Sequence, residues 1–127
     1  MIDPNASGGT SSTTVYDGGD PRTIITVIGA PSLNASGFTA VAATAGLKTK
    51  VLGINVYPSA FTTEGSLVIR DGSTSIFQIA RFTALGQRAD FNMGGQVICQ
   101  GSINTLLEIF FTGNAFIQFS LIYYQAP

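Results

Sequence analysis

Histidine, the side chain most often used for proton transfer near neutral pH, is absent from this sequence. Acid–base chemistry would fall to 7 carboxylates: Asp3, Asp17, Asp20, Glu64, Asp71, Asp90 and Glu108. Asp71 precedes Gly72 in a turn signal, Glu64 precedes Gly65 in an expected loop, and Asp3, Asp17 and Asp20 fall in a polar N-terminal stretch. Asp90 and Glu108 remain as the pair a glycosidase-type reaction would need, but nothing in the sequence sets the separation that chemistry demands. Cys99 is the single cysteine, so no intrachain disulfide can form. It follows Val97-Ile98 and reads as a small buried hydrophobe; a catalytic thiolate would need a base beside it.

Metal and phosphate chemistry find no better footing. Asp17-Gly18-Gly19-Asp20 offers two carboxylates about a turn, without the further oxygen ligands of a calcium loop. Gly8-Gly9 and Gly94-Gly95 lack the Lys-Ser/Thr and the helix of a phosphate loop. No Cys/His set suits zinc. The serines and threonines have no base to activate them. The reading is therefore a non-enzyme without cofactor or metal.

Composition points to contact rather than catalysis. Charged residues make up 10% of the chain and hydrophobic ones 45%, against about 25% charged in an ordinary soluble domain. Yet no apolar run approaches the ~20 residues of a membrane-spanning helix. The 6 basic residues, Arg22, Lys48, Lys50, Arg70, Arg81 and Arg88, are scattered and the net charge is −1, which argues against nucleic acid and against a basic membrane-surface helix. A low-charge protein of this kind covers much of its surface with other protein. Met1–Thr14 has neither a basic n-region nor an apolar core, so no export signal is expected, and Asn5-Ala6-Ser7 and Asn34-Ala35-Ser36 read as chance sequons.

At 127 residues the chain is one domain by length. Residues 1–22 read as an extended arm, too polar to order alone, in which Val15 and Tyr16 would dock if it met a partner. Residues 23–127 read as the body. Val, Ile, Thr, Phe and Tyr dominate there, punctuated by Gly, Pro, Asn and Asp. Strands are expected at 23–28, 38–44, 50–57, 65–70, 74–80, 88–92, 95–100, 104–111 and 115–124. Asp71-Gly72 should close one tight hairpin, and Thr112-Gly113-Asn114 a second between the last two strands. No helix is expected. The class is all-β, an antiparallel β-sandwich or jelly-roll-like single domain.

In the last strand Ala115, Ile117, Phe119, Leu121 and Tyr123 form an apolar face, read as core. Phe116, Gln118, Ser120, Ile122 and Tyr124 form a mixed face suited to a semi-polar contact surface. Glu108, alone among aromatics, should lie at an interface or pair with an arginine. Phe61, Phe82 and Tyr16 fall in or beside loops and could be exposed anchors. The expected interface residues are thus Val15, Tyr16, Phe61, Phe82, Phe116, Ile122 and Tyr124.

Residues 51–57 (Val-Leu-Gly-Ile-Asn-Val-Tyr), 65–72 (Gly-Ser-Leu-Val-Ile-Arg-Asp-Gly), Ile76-Phe77 and the aromatic closing stretch Gly113 to Tyr124 resemble small β-sandwich capsid decoration, or cement, proteins of tailed bacteriophages. The resemblance spans about residues 45–124. It implies a structural virion protein on the outer capsid surface that bridges and stabilises major capsid protein subunits, commonly as a homotrimer. The competing readings are a tail, fibre or vertex component binding a host-surface glycan or protein, and a glycan-depolymerising head using Asp90 and Glu108.

Overall fold

The computed structural model describes residues 13–92 and 94–127; the readings placed on Asp3, Asn5 and Gly8-Gly9 lie outside them. The fold is all-β: among the described residues 71% lie in strands and none in a helix, the antiparallel sheets forming a nearly closed, barrel-like sandwich. In chain order the strands are β1 (Thr14–Asp17), β2 (Asp20–Thr23), β3 (Ile25–Gly29), β4 (Ser32–Val41), β5 (Lys48–Thr63), β6 (Gly65–Asp71), β7 (Thr74–Phe82), β8 (Ala89–Asn92), β9 (Cys99–Gln100) and β10 (Leu107–Ala126).

β10 is the spine. Along one edge it pairs with β4 and then β3; along the other it pairs with β6 and then β5. Both flanking lines are therefore long stretches of chain broken once, at Ala30-Pro31 and at Glu64. The ladder crosses the first break because Pro31, which has no N–H to give, accepts from Ile117 N at 2.9 Å. β7 extends the sheet beyond β6, and β8 and β9 extend it beyond β5.

The core follows from period-2 alternation. Leu107, Ile109, Phe111, Gly113, Ala115, Ile117, Phe119 and Leu121 all point inward and are buried. Leu33, Val41, Val51, Ile54, Val56, Leu67, Ile69, Ile79 and Phe82 complete the same cluster. Tyr123 packs against it from the end of the row.

Two expectations need correction. Thr112-Gly113-Asn114 is no turn: residues 107–126 are one strand. Gly113 is glycine because a side chain there would strike the carbonyl oxygens of Thr63 and Glu64, where the flanking line bends across β10. Gly65 meets Gly113 in the same way from the other side. A pair of glycines that reads locally as turn chemistry thus marks a close backbone approach. The strand expected at 95–100 shrinks to Cys99–Gln100, the glycines 94 and 95 before it lying at φ 68° and 93°. The Asp71-Gly72 hairpin does form, with Asp71 opposite Thr74. Gly72 is the first of its two loop residues and has φ 63°, as a II′ turn requires.

Candidate interaction surface

With the odd residues of β10 in the core, its even residues face outward. Register then assembles an outer face from β10 and the three strands β3, β4 and β5 that flank it. Ser120 lies between Ile28 and Asn55, Gln118 beside Tyr57, and Phe116 between Ser32 and Ala60. Ile28 is 77% exposed and Phe116 49%. Tyr57 is exposed and carries the Arg88 guanidinium 4.8 Å from its ring centroid. Asp90, opposite Asn55 on β8, is exposed at the rim. The result is a half-apolar, aromatic surface with few charges, the composition of a protein–protein contact centre rather than of open water.

The far end of this face is already covered. β1 and β2 form a separate two-stranded hairpin closed by Gly18 (φ 62°) and Gly19 (φ 87°), the I′ pattern. Val15 and Ile24 pack over Leu52, Tyr124 and Ala126. Asp17 Oδ2 accepts hydrogen bonds from Lys50 Nζ at 2.5 Å and from Tyr124 Oη at 2.7 Å. The Lys50 bond, with help from Tyr124, holds the Asp17 carboxyl below its ordinary value. Burial, and secondarily the bond to Asp17, pushes Tyr124 up to about 12.

On the other half of the outer face Glu108 sits directly across from Arg70, Oε1 to Nε 3.3 Å. The contact is an ion pair rather than an aligned hydrogen bond. The guanidinium also lies 4.3 Å from the Phe110 ring centroid. Glu108 is thus paired with an arginine, while Asp90 lies on the opposite half of the face, against β5. Among the described residues no three Asp, Glu, Cys or His side chains cluster as a metal site would need. Burial pushes the Cys99 thiol up to about 12, the opposite of what a nucleophile needs.

A cleft of about 350 Å³ opens at the flank, lined by Phe77, Phe91, Gln96, Val97 and Ile98. The Phe77 and Phe91 rings meet edge to face at 5.2 Å. Four apolar walls and one amide suit a compact apolar group, not the many hydroxyls of a sugar.

Of the expected interface residues, Phe116 and Ile122 lie on the outer face, the latter half-buried. Tyr16 is exposed on the hairpin and Val15 is packed beneath it. Tyr124 faces outward as expected, but its own hairpin buries it to 4%. Phe82 must be corrected: it is 1% exposed, with its ring 6.5 Å from Phe111 in the core, because β7 runs on through residues that read as a loop. Phe61 is half-buried against the same core. Sequence reasoning missed Ile28, Tyr57 and the Asp17–Lys50–Tyr124 set. The outward phase of Thr26 and Ile28 is readable from alternation alone; the long-range set is not. Compared with known proteins, the chain matches no family model, no curated protein and no solved structure.

Proposed function

We propose that this chain is a structural protein of a virus particle, a decoration protein that lays its outer face on major capsid protein subunits and bridges them. The observation that carries the contact role is the exposed, nearly uncharged aromatic surface around Ile28, Tyr57 and Phe116. Large exposed apolar side chains on one sheet face mark a partner's footprint. Assignment of that partner to a capsid rests on the resemblance over residues 45–124. The tail-component reading draws on the flank cleft, whose apolar lining fits a protein side chain better than a glycan.

Copy number in purified particles, measured by quantitative mass spectrometry against the major shell protein, tests the proposal. A count comparable to the shell protein is expected. A handful per particle would move the chain to a tail or vertex, and absence from particles would overturn both virion readings.

A further inference from the structure

We infer that the flank cleft is a binding site for a neutral, two-ring aromatic group carrying one N–H, an indole. The cleft lies at the seam of the barrel. Phe77 and Phe91 belong to β7 and β8, the two ends of the run β7-β6-β10-β5-β8. Among the described residues no ladder joins those two strands; the edge-to-face rings span the gap instead. The walls are fixed by the chain itself. Phe77, Phe91 and Ile98 rest on the core. The loop that carries Gln96, Val97 and Ile98 is held at both ends: Gly94 N donates to Asn92 Oδ1 at 3.1 Å, and Ile98 N donates to Val51 O at 2.8 Å. A pocket formed in advance spares the complex the cost of ordering it.

Size and lining select the occupant. A dry apolar cavity of about 150 Å³ holds one benzene ring. The cleft measures about 350 Å³, which is room for two fused rings. A ring placed against the Phe77–Phe91 pair extends its edge-to-face packing. Every lining residue is uncharged, so a charged ligand would lose its hydration with nothing to replace it. Gln96 is the one polar wall, and its amide makes no hydrogen bond to another described residue. Its carbonyl oxygen is open to a single N–H, and an amide matches one such group rather than many. The chain contains no tryptophan, so neither this chain nor a second copy of it can supply the indole. The cleft stands apart from the outer face, and the inference is independent of the shell reading.

The test is titration of the full chain against free indole, followed by indole fluorescence, which a tryptophan-free protein leaves unobscured, and by the NMR methyl signals of Val97 and Ile98. Saturable one-to-one binding is expected, with a blue shift of the emission and methyl shifts centred on those two residues. Naphthalene, which lacks the N–H, should bind more weakly, and the indole-3-acetate anion hardly at all. Gln96→Leu, an exposed change that leaves the fold alone, should weaken indole by about fivefold, the worth of one neutral hydrogen bond, and leave naphthalene unchanged. N-acetyltryptophanamide sorts the source: binding as tight as indole's supports a tryptophan side chain of a partner protein, and binding of indole alone supports a free small molecule. Four results would overturn the inference: no saturable binding; methyl shifts centred on Ile28 and the outer face instead; indole-3-acetate binding as well as indole; or Gln96→Leu weakening indole and naphthalene alike.

Discussion

Asp17 ties a hairpin to a sheet with one oxygen, accepting from both Lys50 and Tyr124. Its carboxyl is held below the ordinary 3.8, so the folded state favours the charged form. That contribution is complete above pH 3.8 and is lost as pH falls through the lowered value. Tyr124 works from the other side. Its hydroxyl is raised from 10.0 to about 12, so its contribution is complete below pH 10 and is lost as pH rises through about 12. The hairpin should therefore stay seated between these limits and lift outside them. An apolar dye that fluoresces on reaching Leu52 and Ala126 should report uncovering at both extremes. Asp17→Asn should raise the signal at neutral pH and flatten the acid limb; an unchanged acid limb would refute the assignment.

At the scale of elements, the bend at Gly113 and Gly65 decides the architecture. β10 and its neighbour approach so closely there that Ser66 N donates to Thr112 Oγ1 at 2.8 Å. Gly113→Ala places a methyl against backbone oxygens, which cannot move aside as side-chain ends do. Overpacking of this kind costs about 1–3 kcal/mol, and urea unfolding should show a loss at the upper end of that range. Wild-type stability in the variant would mean the bend relaxes freely. The same bend shows where sequence legibility stops. The all-β class, the positions of β6 and β7 and the inward row Ala115, Ile117, Phe119 and Leu121 follow from period-2 alternation, a local property; β1 and β2 instead form inside the stretch read as an arm, and β4 and β5 run well beyond the strands expected at 38–44 and 50–57. Gly113 defeats that reading, because turn and close approach ask for the same residue and only the partner strand tells them apart. Phe82 fails for a related reason: flanking Thr83 to Gln87 signals a loop, while burial depends on where Phe111 lies. The outer face was legible in Phe116 and Ile122, both on one strand; Ile28 and Tyr57 join it only through register.

The whole molecule is a folded sheet with a small lid. The hairpin shares no ladder with the main sheet and covers only the Leu52, Tyr124 and Ala126 cluster. Removing residues 1–23 should therefore leave the main sheet folded, with its circular dichroism retained, while dye binding rises. Collapse of the sheet on truncation would show that the hairpin is integral to it. The central place of β10 also sets an order of events during synthesis. Among the described residues β3 and β4 have no ladder partner other than β10, and β10 is made after every strand it joins. The ribosome must deliver the residues up to Leu106 before most of the sheet can close. Until then β3 and β4 wait uncharged and unpaired in a crowded cell, so the period of greatest aggregation risk lasts as long as translation itself.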